Sequence, residues 1–407
     1  MGQENGAPLQ VPAWIDCHPG KQGGAVVISG DPVGLGIVRS LGRRGIPAWV
    51  LGERYLTANF SRYTRRRLVW PAEDEVSRLE YLLELADRNA IRGWAIFPTT
   101  DSAASFLATH HGTLSERYQL TVPPWDTMQW AHDKHRTYQF ASDLGIPVPY
   151  TRHPRDQAEV AALDCPFPAI LKPAVKVAPN PFTLARAWRV DDRRELLARY
   201  DEACGFVPAD AIMIQELIPG GGEGQVSFAA LCLEGVPLAW LTARRVRQYP
   251  VDFGRFSTFV ETIDEPALVE VGTLFLEALR YTGLAELEFK QDMNTGEYKL
   301  LDFNARAWGW HSIGPAAGTD FPYLLWLLVA GNQVQRAQAR AGVRWVRLGP
   351  DLRAAAQLWR LGELSPRAYT QSLRPPLVEA LAARDDPLPF LADVPMRAFL
   401  KLASMLS

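Results

Sequence analysis

Apolar and polar positions follow two alternating periods along the chain, and the switches between them mark the predicted elements. From Ala25 the stretch AVVISGDPVGLGIVRSLGRRGIPAWVLGE reads as an apolar strand, a glycine-containing turn, an amphipathic helix and a second strand ending at Glu53, which is a βαβ unit. WAIFPTTDSAASFLATH, residues 94–110, repeats the strand-then-helix pattern, so residues 24–122 read as a doubly wound domain. The Pro- and Trp-rich VPPWDTMQW reads as a linker, and AHDKHRTYQFASDLGIPVP after it as a helix capped by Asp133 and closed at Gly145. FPAILKPA is a strand with a single lysine. IMIQELIPGGGEGQVSFAALCLEGVPLAWLTARRVRQ holds two or three strands around a Gly-rich turn, and PALVEVGTLFLEALRYTG is a helix. LAELEFKQDMNTGEYKLLDFNAR is a strand pair with its hairpin turn at NTG. Beyond Gly331 the pattern predicts a helical tail, rich at first in arginine and alanine.

Composition narrows the class. A chain of 407 residues is long for one domain and suggests two or three. Forty-three basic against forty-five acidic residues leave a formal net charge of −2, so no global field draws the protein to nucleic acid or to an anionic membrane. Any polyanion must be held locally. Cys17, Cys165, Cys204 and Cys232 are scattered without a C-x-x-C pair, which argues against a disulfide framework or a zinc site and fits a reducing cytosol. MGQENGAPLQVPAW lacks the charged and apolar regions of a signal peptide, and Gly6 stands where a myristoylation motif needs Ser or Thr. The longest apolar run, FPYLLWLLVAG at 321–331, is roughly half the span that a bilayer crossing needs and reads as a core helix. DVPMRAFLKLASMLS at 393–407 places Met396, Phe399, Leu400, Leu402, Ala403 and Leu406 largely on one side of a short helix. Only Arg397 and Lys401 bring positive charge there, which is thin for an anionic surface. The expectation is packing on the chain's own core or on a second subunit, as in a homodimer, with no membrane association.

Several segments carry candidate chemistry. In KLLDFNAR the residues Asp302, Asn304 and Arg306 alternate after an apolar run, so in an extended chain they share one face. If the hairpin pairs symmetrically about residues 294–296, Glu288 lies nearly opposite Asp302. An all-oxygen set on one face suits Mg²⁺, which completes its shell with water and phosphates; a solvated face with Arg306 pairing Asp302 is the plainer alternative. Lys172 stands alone in an apolar strand and must neutralise something or snorkel. Lys134 follows a helix cap, at the positive end of the dipole. Glu216 and Glu223 flank Gly220, Gly221 and Gly222, either as acceptors for adenine and ribose or as a polar hairpin tip. Gly30, Gly34 and Gly36 miss the G-x-G-x-x-G spacing and Pro32 interrupts them, so the dinucleotide signal is weak.

In this order the segments resemble the ATP-grasp superfamily from about residue 24 to 331, and most of all its bacterial carboxylate–amine ligases, the group that includes D-aspartate ligase. The resemblance rests on SLGRRGIPAWVL with SRY, HDKHRTYQFASDLGIPVP, FPAILKP, IMIQELIPGGGEG, ARRVRQYPVDFG, GLAELEFKQDMNTGEYKLLDFNAR and AAGTDFPYLLWLLVAG. It implies an α/β fold of ATP-grasp architecture. Residues 1–23 would form a flexible N-terminus, 24–122 a Rossmann-like domain, 123–205 and 206–331 two α+β subdomains, and 332–407 a helical extension. It also implies ATP and two Mg²⁺ ions, or Mn²⁺ in their place. Lys134 and Lys172 would clamp the phosphates. Glu216, Leu217 and Ile218 would hold adenine and Glu223 ribose; Glu288, Asp302 and Asn304 would ligate metal, and Arg306 would face the transferred phosphoryl group. Two departures stand out: Asp302 replaces the usual glutamate, and AVKVAPNPFTLARAW lacks the glycine-rich phosphate loop. Lid closure is therefore assigned to Lys176 with Arg244 or Arg247, and His311 is a candidate base. The implied reaction joins a small-molecule carboxylate to an amine in the cytoplasm, with no nucleic acid partner. A biotin carboxylase-like activity, lowered by the lack of an A-M-K-M site, and an ATP-binding scaffold are the alternatives.

Overall fold

The computed structural model describes residues 12, 14–15, 23–29, 32–52, 56–71, 74–174, 180–185, 187–220, 224–254 and 256–396. Its first sheet is parallel and is built from β1 (Ala25–Ile28), β2 (Ala48–Gly52), β3 (Thr64–Val69), β4 (Trp94–Pro98) and β5 (Tyr118–Leu120), in the order β3-β2-β1-β4-β5. β1 and β4 are buried almost throughout, as expected of strands covered on both faces. The order reverses between β1 and β4, and the crevice beyond their carboxyl ends is where doubly wound sheets bind ligands. Thr99 pins the two ends together, its amide and hydroxyl both donating to the Ile28 carbonyl. The helix Asp101–Thr109 starts there, capped by the Thr100 hydroxyl, which accepts from the Ala103 amide.

A second, antiparallel sheet of four strands joins β6 (Thr151–Arg152), β7 (Ala169–Pro173), β8 (Trp188–Val190) and β9 (Ile212–Glu216) in the order β6-β9-β7-β8. It closes its own core around Leu171, Phe182, Tyr200 and Ile214. The third sheet has eight strands. β10 (Gln225–Leu233), β11 (Val236–Tyr249), β12 (Phe256–Ile263), β13 (Gly283–Gln291) and β14 (Tyr298–Asn304) are followed by β15 (Ala337–Gln338), β16 (Arg344–Val346) and β17 (Leu377–Glu379). The main order is β14-β13-β10-β11-β12-β16-β17, with β15 beside β11.

The mixed α/β architecture agrees with expectation, with one revision. The tail is not purely helical, because β15, β16 and β17 join the large sheet, and β16, with β17 beyond it, covers the edge that β12 would otherwise expose. These strands are two or three residues long, too short to produce a readable period. The apolar run at 321–331 forms the helix Phe321–Val329, which packs in one core with β1, β10 and β13 residues. No helix among the described residues is long and apolar enough to cross a membrane. The N-terminal residues 1–11, 13 and 16–22 and the apolar stripe at 397–407 lie outside the described residues.

Candidate active site

The hairpin β13–β14 carries the centre of the site. Its tip is set by Gly296 at φ +78° and by Asp292, whose side chain accepts from the Asn294 amide. Near the tip Lys290 faces Lys299 and Phe289 faces Leu300, but one step on Glu288 faces Asp302 and Glu286 faces Asn304. Leu301 is thus an extra residue in β14, a bulge. Without it Glu288 would face Leu301, and the polar residues of β14 would point to the other side of the sheet. The bulged backbone is held by the Tyr138 hydroxyl, which donates to the Leu301 carbonyl at 3.0 Å.

Tyr138 belongs to the helix Lys134–Asp143, capped by Asp133, whose carboxylate accepts from the His135 and Arg136 amides. One turn earlier, Lys134 Nζ lies 2.9 Å from Asp302 Oδ2. Desolvation works against its charge, but Asp302, Tyr138 and Glu288 together outweigh it and the ammonium pKa is raised. Lys172 projects from β7 into the same region and has a different fate. Its Nζ donates to the neutral Gln215 side chain at 2.8 Å. Burial and the neighbouring Lys134 charge together lower its pKa from 10.5 to about 7, with Asp302 only partly opposing them. Gln215 is itself fixed by bonds to Tyr138 and Thr151. A half-buried, desolvated lysine with an amide for a partner is a cation waiting for an anion.

The acidic oxygens are each occupied by a donor. Glu288 accepts from Arg245 (2.9 Å), Gln225 (3.1 Å) and the Asn304 amide nitrogen (3.2 Å). Glu286, buried beside it, accepts from Ser227 and Asn304, both at 3.1 Å. Burial, and then the Glu288 charge, push the Glu286 pKa up to about 8. Arg306 donates to Asn304 Oδ1 at 3.2 Å and to Asp101 at 2.6 Å. The guanidinium therefore bridges the hairpin and the first turn of the Asp101–Thr109 helix, at the crevice of the parallel sheet. Among the described residues no three acidic, histidine or cysteine side chains converge as a ready-made ligand set, and Asp302 and Glu288 are paired with Lys134 and Arg245. The donor chemistry nonetheless suits a hard divalent cation: two carboxylates and an amide, on adjacent strands of one sheet, with oxygen atoms only.

The structure brings together Lys134, Glu288, Asp302, Asn304 and Arg306, with Lys172 close enough to feel both Lys134 and Asp302. Glu216 ends β9 with its carboxylate 2.7 Å from Lys299, which also reaches Asp292 at 3.1 Å, while the Tyr150 amide donates to it at 3.1 Å. Leu217 donates its amide to the Pro168 carbonyl, and Ile218 is buried. Glu223 and Lys176 lie outside the described residues.

Two expectations, those for Arg247 and His311, are corrected. Arg247 is 4% exposed and forms a double hydrogen bond to Asp351, which is 0% exposed; it also lies over the Phe259 ring. The cause is a bulge in β11: Arg245 pairs with Val260 and Arg247 with Phe259, so Val246 is inserted and the two arginines leave the strand on opposite faces. Arg244 is paired with Glu261, which it shares with Arg344 of the tail, while Arg245 reaches Glu288. His311 is buried with its Nε2 3.0 Å from the Val33 carbonyl. Its ring fills the space beside Gly36, where an added Cβ would come within 2.7 Å of it, so it is a packing residue rather than a base. The residues that sequence reasoning missed are Arg245, Glu286, Gln215 and Asp101. Glu286 was signalled, since it precedes Glu288 by two and must share its face; Arg245 was not, because the bulge is invisible in the sequence.

No protein-family model matches the chain. In sequence it is 25% identical over 252 residues to D-aspartate ligase of Enterococcus faecium (strain Aus0004), a match covering 56% of this chain and 57% of that protein; the chain therefore spans little more than half the length of its curated relative. Among solved structures, L-amino acid ligase from Bacillus licheniformis superposes with a TM-score of 0.56 at 18% identity, covering 75% of this chain and 74% of that one. The biotin carboxylase domain of Hydrogenobacter thermophilus 2-oxoglutarate carboxylase, a dimer solved with MgADP, ADP and bicarbonate, gives a TM-score of 0.61 at 15% identity, over 79% of this chain and 73% of that one. The chain thus carries the ATP-grasp fold and is a sequence relative of D-aspartate ligase.

Proposed function

We propose that the protein is an ATP-dependent ligase that joins a carboxylate to an amine through an acyl phosphate, releasing ADP and phosphate. The observation that carries this reading is the placement of Lys172, half-buried without a carboxylate partner, next to Lys134 and the acidic hairpin. A polyphosphate supplies the negative charge that Lys172 lacks and competes with Asp302 for Lys134. Glu288, Asp302 and Asn304 would hold Mg²⁺, which when bound would spread the charge on the β- and γ-phosphate oxygens. Glu216, Ile218 and Glu223 remain assigned to the nucleoside end.

Positioning and charge neutralisation do most of the work in such a transfer. The substrate carboxylate oxygen attacks the γ-phosphorus, and the bond to the β-phosphate oxygen breaks to leave ADP. Arg306, and Arg245 once released from Glu288, stand where negative charge builds on the transferred group. The amine nitrogen then attacks the acyl carbon; phosphate departs and takes up the nitrogen's proton. The acceptor pocket is assigned to the crevice between β1, β4 and the hairpin, where Asp101 meets Arg306.

The test is to incubate the protein with ATP, Mg²⁺ and pools of carboxylates and amines, following phosphate release and new masses. Release that needs both an acid and an amine supports the ligase. Release driven by bicarbonate alone supports the carboxylase alternative, and ATP binding without release supports the scaffold.

A further inference from the structure

We propose that the outer face of the helix Leu348–Arg360 is a docking surface for an anionic lipid bilayer. The inner face of this helix is committed to the fold: Asp351, Ala354 and Ala355 are buried, and Asp351 receives both Arg247 and the Thr258 hydroxyl. The outer face is covered by nothing among the described residues. Leu352 and Trp359 are 55% and 63% exposed, and Leu361, just past the helix end, is 57% exposed. Positions 352, 356 and 359 fall on one row of a helix, so Leu352, Ala356 and Trp359 form a continuous apolar line. Arg353 and Arg360, seven apart, form the adjoining row, and Arg367 and Arg374 follow in the next segment.

All four arginines are exposed, and none of their side chains bonds to a described residue. Between residues 348 and 374 the acids are Asp351, which is buried, and Glu363. In a chain whose formal charge is −2, this face is a local concentration of positive charge around exposed leucine and tryptophan.

The chemistry selects the occupant. A second copy docking by the same face would bring Arg353 and Arg360 toward their own counterparts with no carboxylate between them. A nucleic acid would use the arginines and leave Leu352 and Leu361 in water. An anionic bilayer uses both: lipid phosphates take the guanidinium groups, Leu352 and Leu361 enter the acyl boundary, and Trp359 sits at the headgroup level. With no spanning helix among the described residues, the helix would lie in the plane of the interface. This surface differs from the 393–407 stripe, from which sequence reasoning expected no membrane association.

The experiment is co-sedimentation of the full chain with vesicles of phosphatidylcholine, alone and mixed with phosphatidylglycerol, at low and physiological salt. Binding to the mixed vesicles that weakens with salt is expected, with little on phosphatidylcholine alone. Two double variants, Leu352→Ser with Trp359→Ser and Arg353→Gln with Arg360→Gln, should each reduce partitioning by about tenfold or more, with circular dichroism and ATP-analogue affinity unchanged. Absence of vesicle binding, binding that survives both variants and is lost only on deleting residues 388–407, or concentration-dependent self-association abolished by the variants would each overturn the proposal.

Discussion

Replacing Lys172 by methionine isolates the group on which the functional reading rests. Methionine keeps the length of the apolar stem and removes the ammonium, leaving Gln215 without its donor. In the native protein the Lys172 pKa is lowered from 10.5 to about 7 by burial, then by Lys134, so this ammonium gives up its proton far more readily than a free lysine. A bound triphosphate reverses the balance, because an opposite charge within a few ångströms favours the protonated form. Nucleotide binding should therefore take up protons at neutral pH. The sign follows directly: affinity is highest below about pH 7, where Lys172 is already charged, and falls as pH rises above its folded pKa. A hydrogen bond to a charged group contributes about 1–3 kcal/mol, so Lys172→Met should weaken a non-hydrolysable ATP analogue by roughly 5- to 150-fold. It should also flatten the decline in affinity between pH 7 and 9. Calorimetry in buffers of different ionisation enthalpy measures both quantities, since the apparent heat reports the protons exchanged. The substitution also removes a desolvated cation, so the melting temperature should hold or rise. Unchanged affinity together with unchanged proton uptake in the variant would refute the phosphate role and return Lys172 to a snorkelling lysine.

Three further outcomes follow from the same geometry. Asp302→Ala and Asn304→Ala should each abolish ADP formation at saturating Mg²⁺; thermal melts should shift little for Asp302→Ala, because Lys134 and Asp302 are 43% and 34% exposed and exposed pairs contribute at most about 1 kcal/mol, and more for Asn304→Ala, which takes a donor from Glu286 and Glu288; normal turnover by either would remove the metal assignment. Arg247→Ala should cost about 3–5 kcal/mol in urea unfolding by stranding the buried Asp351, whereas Arg245→Ala should cut turnover and cost less stability than that, because Glu288 is 17% exposed and keeps Gln225 and Asn304 as donors; a reversed order would contradict the bulge-based assignment. Chromatography of the nucleotide product should show ADP and no AMP, and AMP with pyrophosphate would point to an adenylate instead of an acyl phosphate.

The sequence by itself determined the parts whose signals are local. Hydrophobic period and turn residues located the parallel domain, the Lys134 helix, the Lys172 strand and the hairpin with its NTG turn. Alternation within β14 was enough to put Asp302, Asn304 and Arg306 on one face, and arithmetic about the turn placed Glu288 opposite Asp302. That arithmetic gives the observed pairing because Leu301 bulges, an event the sequence does not display and the Tyr138 hydroxyl helps to hold. Tertiary structure alone decided which arginine of RRVR reaches the site. A strand's period assigns alternate residues to one face only while pairing is regular, and the inserted Val246 sends Arg245 to Glu288 and Arg247 to Asp351, 104 positions away in the chain. The same limit hid Asp101 and Gln215. What makes them part of the site is proximity to Arg306 and Lys172 across separate sheets, and such contacts are set by how the sheets pack, for which no short window of sequence carries a period or a motif.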